Sequence, residues 1–242
     1  MLDELRGAFY IAKKDLKEYY FKPPTVSWGI AFPLVFAFAF LLRGWDKLWL
    51  APGLLTISLF FGSTSMSAAS IVFERRTGSF ERLLLFPISY FGVALGKSLS
   101  SFFFGLLSLT TTLAIVWIFL SIPPHNLPLL AFTIICAALQ FSSMGVLLSF
   151  AVKDPAQAMT IFNSVRFPMM FLSNMIIPVT RFPPYLTPIS FAIPLTYSVE
   201  AIRYALVGSY DVIPPQIALT VTIISFLAFL YFAKVMIERS IP

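Results

Sequence analysis

Six apolar runs mark the chain, over 26–42, 51–73, 98–120, 127–152, 156–177 and 213–233. Each is long enough to cross a hydrocarbon layer ~30 Å thick as a helix. Backbone polar groups in lipid must be satisfied within the segment, so helices are predicted. The ten-residue alternating segments of a membrane β-barrel are absent from the sequence. The pattern predicts an all-α integral membrane protein, with 1–242 as a single transmembrane domain of six transmembrane helices.

Two segments stand outside the six runs. Within residues 1–24, Leu5, Phe9, Ala12, Leu16 and Tyr19 recur at helical spacing, with Lys13, Lys14 and Lys17 off that stripe. Pro23 and Pro24 then stop the pattern. An interfacial amphipathic helix is predicted, the alternative being a solvated basic leader. Residues 3–22 are charge-rich and no small-residue cleavage site follows the first run, so no cleavable signal peptide is expected. Residues 178–212 are broken by Pro178, Pro183, Pro184, Pro188 and Pro194, yet carry Phe182, Tyr185, Leu186, Ile189 and Phe191. They are too polar to span and too apolar for an ordinary loop. A re-entrant hairpin at the outer face, between spans five and six, is predicted.

Composition agrees with the pattern: 58% of the 242 residues are hydrophobic and only 12% charged. An ordinary soluble domain carries about twice that charge, so soluble and disordered classes are excluded. The net charge of +6 would suggest nucleic acid in a soluble protein. Here the cations lie between apolar runs, and a positive-inside bias explains them without a nucleic-acid partner. With both termini inside, the inner segments hold Arg6, Lys13, Lys14, Lys17, Lys22, Arg75, Arg76, Arg82, Lys97, Lys153, Lys234 and Arg239. The outer segments hold Arg43, Lys47, Arg181 and Arg203. Cytoplasmic termini in the cell membrane are therefore expected. Cys136 is the single cysteine and His125 the single histidine, so the sequence offers no metal cluster.

The most informative stretch is Glu74-Arg75-Arg76-Thr77-Gly78-Ser79-Phe80-Glu81-Arg82-Leu83-Leu84-Leu85-Phe86-Pro87-Ile88-Ser89. Thr77, Gly78 and Ser79 suit a helix start, and Glu81 suits its positive end. Phe80, Leu83 and Leu84 share one face, and Pro87 ends the segment. A short cytoplasmic helix offering an apolar knob to a soluble partner is predicted. An interfacial anchor without a partner is the alternative.

This stretch resembles the coupling-helix region of ABC type-2 exporter permeases, with its pattern E-R-x-x-G-[ST]-x-E-x-L-x-x-x-P. Phe171-Leu172-Ser173-Asn174-Met175-Ile176-Ile177-Pro178 is similar to the family's F-L-S-G-x-x-x-P stretch, with Asn174 where the family often has Gly. Pro194-Leu195-Thr196-Tyr197-Ser198-Val199-Glu200-Ala201-Ile202-Arg203 resembles its P-L-T-Y-x-x-E-x-x-R segment. The layout is similar over essentially the whole chain. The resemblance implies a permease subunit paired with a second copy or a paralogue above two ATPase subunits. Closure of those ATPases would push on Glu74, Arg75, Gly78, Phe80, Glu81, Arg82, Leu83 and Leu84. ATP and Mg would be used by the partner, with no cofactor bound by this chain and no catalysis in it.

The residues agree that no ATP site is expected. Gly92-Val93-Ala94-Leu95-Gly96-Lys97-Ser98 has only three residues between its glycines, where a Walker A loop needs four, and leads into a span. Gly92 and Gly96 instead form a small-residue face for close helix packing.

Arg166 is an intramembrane cation and so a candidate site: it is expected to line a cavity and meet an anionic head group, or else to snorkel or pair with Asn163. Glu200 and Arg203 are either a local i, i+3 pair or an outer gate. Ser63 and Ser67 in the second run, and Asn163, Ser173 and Asn174 in the fifth, are expected to face a pathway or second copy, unless bonded within their own helices.

An amphiphile such as a drug, lipid or lipid-linked glycan is the expected cargo. An ATP-independent carrier or channel would often show repeated halves, and no convincing repeat is present. An intramembrane enzyme would need a catalytic constellation that the spans do not carry.

Overall fold

The computed structural model describes residues 2–44, 46–152 and 154–239. Lys153, counted above among the inner cations, lies outside the described residues. Among these residues every regular element is helical. In chain order they are α1 (Leu2–Tyr19), α2 (Pro23–Leu42), α3 (Lys47–Thr77), α4 (Ser79–Leu83) and α5 (Tyr90–Leu120). Then follow α6 (Leu127–Ser149), α7 (Pro155–Leu172), α8 (Thr187–Ala192), α9 (Pro194–Val207) and α10 (Pro215–Arg239). Five of them, α2, α3, α5, α6 and α10, are long and apolar enough to cross a membrane. The fifth predicted span appears as α7, which ends at Leu172 and is not one of these five.

Local chemistry sets the boundaries. Asp46 caps α3 through the Leu48 N–H, Ser89 caps α5 through Gly92, and Asn126 caps α6 through Leu129. Gly78, at φ 68°, ends α3 in the left-handed conformation that a side chain would resist. Within α2, Pro33 has no N–H to offer the Gly29 carbonyl four residues back. The helix widens to a π turn over Ser27–Ala31, and the Ser108 hydroxyl of α5 donates to that carbonyl instead.

Burial separates centre from rim. The apolar stretch of α3 is 100% buried, against 22% for α2 and for α10. So α3 is the axis, wrapped chiefly by α5 and α6, and α2 and α10 are outer helices. Val35, Leu42, Trp117, Ile118, Leu227 and Tyr231 point outward, as an apolar solvent permits. Small residues let α3, α5 and α6 approach closely: Gly105 lies on Ser63, Gly62 on Ser108 and Gly145 on Ser67. Gly96 does the same toward α1, since a Cβ there would sit 2.9 Å from the Ala8 carbonyl oxygen. The first and last helices meet at one end of the bundle, where Ile11 of α1 and Ile237 of α10 join one apolar cluster.

The face that α1 buries against the bundle only partly overlaps its apolar stripe. Ala8, Ile11, Ala12, Asp15 and Tyr19 face inward, and Leu5 and Phe9 are exposed. Close contact with Gly96 selects the small side chains and turns the larger ones out. The 178–212 region is helical, not a plain loop, and α9 packs against α3, α6 and α10.

Candidate functional site

Near the chain ends, four charges from three helices meet. Lys97 of α5 is fully buried, with Nζ 2.9 Å from Asp15 Oδ2 and 2.5 Å from Glu74 Oε2. Lys14 bonds Glu74 Oε1 and lies 3.3 Å from Asp15. Ser100 donates to Asp15 at 3.3 Å. Two cations against two carboxylates leave the cluster neutral, the condition under which buried charges are tolerated. Burial opposes the charge on Lys14, but Asp15 and Glu74 outweigh it and hold its ammonium above the ordinary lysine range. Lys97 is thus a core residue of α5 and not a loop cation, as the charge count had it.

The Glu74–Ser89 segment sits directly on this cluster. Glu74 is buried in it, and Arg75 donates to the Val152 carbonyl and lies over the Phe150 ring, 5.2 Å from its centroid. Arg76 pairs with Asp154 at 3.6 Å. The knob expected of Phe80 points inward: it is 1% exposed and packs with Ile71, Val93, Val146 and Leu230. Leu83 and Leu84 flank the same cluster. With helix α4 only five residues long, its apolar face is used up against the bundle. The outward apolar pair is Leu85 and Phe86, 85% and 65% exposed, beside exposed Glu81 and Arg82. A groove of about 500 Å³ runs between this segment and α1, lined by Arg6, Tyr10, Lys14, Leu83, Phe86 and Pro87.

At the opposite end a second network forms around Asn174, which has φ 66°. The left-handed conformation favours glycine and tolerates asparagine, which gives a physical reason for Asn174 where the resembled motif has Gly. Its amide donates to Glu200 and its Oδ1 accepts the Val179 N–H at 2.9 Å. Its carbonyl accepts from Arg203 Nη2 at 2.9 Å. The Arg203 guanidinium lies 3.5 Å from the Trp49 ring centroid and 3.5 Å from Glu200 Oε1. Trp49 donates to the Ile176 carbonyl at 3.0 Å, and Glu200 accepts the Asp211 N–H at 2.8 Å. A Cβ at Gly53 would overlap the Met175 carbonyl oxygen, so α3 meets this turn backbone to backbone. The network locks the start of α3, the turn after α7, α9 and the following loop together. Glu200 and Arg203 are one part of it, more than a local helix pair.

Between the two networks, the predicted polar residues separate. Ser67 bonds Ser101 at 2.6 Å and lies 3.4 Å from the Ser142 carbonyl. Ser63 faces Gly105. Both lie among α3, α5 and α6 inside the chain, not toward a surface open to a second copy. Ser173 is buried. Arg166 is buried on α7, where Nη1 donates to Asn163 Oδ1 at 3.4 Å and the guanidinium lies over the Phe61 and Phe162 rings.

Residues 7–207 match the ABC-2 type transporter family. The chain belongs to that family. The permease is 27% identical over 159 residues to the putative transport permease ycf38 of Cyanophora paradoxa, covering 63% of this chain and 53% of that one. It is 23% identical over 170 residues to the probable multidrug ABC transporter permease YbhR of Escherichia coli, covering 69% and 46%. With the inner membrane transport permease YadH of the same species it shares 24% over 197 residues, covering 78% and 74%. The permease spans about half the length of the first two. It is a multi-pass membrane protein of the ABC-2 type transporter family.

Sequence reasoning missed Lys14, Asp15 and Lys97 as partners of Glu74, and Trp49 and Asp211 as partners of the Asn174 network. A signal existed for Lys97, a charge inside the helix that continues into the third apolar run. None existed for Trp49, which lies 125 residues before Asn174.

Proposed function

We propose that this permease is the membrane subunit of an ATP-binding-cassette exporter, six-spanning with α7 as the fifth span, and with both termini cytoplasmic in the cell membrane. On this reading 178–212 is a re-entrant hairpin at the outer face. The permease pairs with a second copy or a paralogue and moves an amphiphile outward. A separate ATPase subunit uses ATP and Mg, and this chain catalyses nothing. The family and the multidrug name of one relative support the class.

The observation that carries the reading is the buried junction of Glu74 with Lys97, Asp15 and Lys14. It ties the segment bearing Leu85 and Phe86 to α1, α3 and α5 at once. A push on that segment would move three helices as a unit, as a coupling element requires. Glu74, Arg75, Gly78 and Phe80 then hold the lever, while Glu81, Arg82, Leu85 and Phe86 meet the ATPase.

The test is co-purification from a strain co-expressing the permease with candidate ABC ATPase subunits of the same organism. Wild type should retain the ATPase, and L85D/F86D should lose it while keeping its thermal midpoint. An intact complex in the variant would refute the contact. Transport by the permease alone in proteoliposomes would refute the dependence on ATP.

A further inference from the structure

Arg166 is the buried cation that the scaffold does not neutralise. Its side chain is 0% exposed, and its Nε and Nη2 meet no acceptor among the described residues. Nη1 reaches the neutral Asn163 amide oxygen at a long 3.4 Å. The remaining contacts are the faces of Phe162 and Phe61, at 4.9 and 5.3 Å.

With α7 read as the fifth span, as proposed above, Arg166 lies far from either membrane face. Arg166 lies twelve residues beyond the half-exposed Asp154, about 18 Å along a helix rising ~1.5 Å per residue. That is near the middle of a ~30 Å layer, beyond the reach of a snorkelling side chain. A second copy offers no acid at that level either. The acidic side chains of α2, α3, α5, α6, α7 and α9 are Glu74 and Glu200 alone, and both are engaged.

A guanidinium at this depth therefore calls for an anion from outside the chain, and its planar donors suit phosphate, sulfate or carboxylate. The surroundings suit the rest of such a molecule. Trp28, Phe32, Phe61 and Phe167 form one aromatic cluster, with ring centroids 4.5 to 6.3 Å apart in the contacting pairs. Ser65, one helical turn from Phe61, has a buried hydroxyl without a partner. The site lies between α7 and α3, which meet through Ala158 and Phe162 against Ala68 and Val72 and through Phe167 against Phe61.

We propose that Arg166 is the head-group receptor of this permease, and that its substrates are amphiphiles bearing a single anionic head. The head docks on Arg166 when α3 and α7 part, and the apolar portion lies against the Trp28–Phe167 cluster. This rests on the exporter reading and specifies its cargo.

The test uses the permease–ATPase complex in phosphatidylcholine nanodiscs. Four probes are compared by thermal shift and by stimulation of ATP hydrolysis: dodecyl phosphate, dodecanoate, dodecyl maltoside and dodecyltrimethylammonium. Wild type should respond to the two anions at concentrations about tenfold lower than to the neutral and cationic probes, the scale of one charge-assisted hydrogen bond. R166K should keep part of that preference, and R166M should compress it to within about twofold. R166Q serves in its place if R166M does not assemble. Equal response of wild type to all four heads would overturn the proposal, as would a preference surviving in R166M and R166Q. Inorganic phosphate displacing labelled dodecyl phosphate as well as unlabelled dodecyl phosphate does would overturn the amphiphile class. If no ATPase co-purifies, the exporter reading fails separately, and thermal shift of the permease alone still measures the head-group preference.

Discussion

Lys97 and Arg166 are both cations buried to 0% exposure within helices of the bundle, and their surroundings are opposite. Lys97 is held by two carboxylates from two other helices. Arg166 is met by aromatic faces and one neutral amide. A buried charge with its counter-charges in place belongs to the scaffold, because removing any member leaves the others uncompensated. A buried charge without them costs stability unless a counter-charge arrives from elsewhere. The same distinction separates Arg203, clasped by Trp49, Asn174 and Glu200, from Arg166.

The largest expected effect breaks the paired side. K97M leaves Asp15 and Glu74 facing each other in the interior and should cost about 3–5 kcal/mol. A thermal melt in detergent would show it, and the triple variant K97M/D15N/E74Q should recover much of the loss. F80A opens a cavity at the same end and should cost about 3–5 kcal/mol. L85A, exposed on the same short segment, should stay within about 0.5 kcal/mol, so the two melts together test which residue faces in.

At the opposite end, N174V places a β-branched residue at positive φ and removes the two side-chain hydrogen bonds, at about 2–4 kcal/mol. N174G keeps the backbone free and loses only the side-chain bonds, so it should cost about 1–2 kcal/mol. A larger loss for N174G than for N174V would contradict the left-handed conformation. The smallest effect, and the one of opposite sign, is R166M. Replacing an uncompensated charge with an apolar side chain of similar length should leave the thermal midpoint unchanged or raised. A fall as large as that of K97M would erase the distinction between the two cations.

Much of the architecture was legible in the sequence. The runs at 51–73, 98–120, 127–152 and 213–233 each lie largely within one long helix, and a short helix does start at Ser79. The α7 end was less so: the run at 156–177 overshoots the helix, because Asn174 turns the backbone to positive φ just after Leu172. Facing directions were the least legible. In lipid a helix can be apolar all round, so periodicity no longer says which side packs inward. Phe80 illustrates the error, expected outward and found buried.

By itself the sequence determined that the chain is a helical membrane protein, where most of its long helices run, and that Glu74 to Ser89 is a segment apart. Hydrophobic length and local capping decide those properties, and both are written in consecutive residues. Only the tertiary structure decided which charges neutralise each other. Lys97 with Asp15, and Arg203 with Trp49, are brought together across 82 and 154 positions. Whether a buried charge is satisfied depends on what neighbouring helices place within a few ångströms of it, and no local pattern specifies that. The same information left Arg166 as the charge whose partner must come from outside.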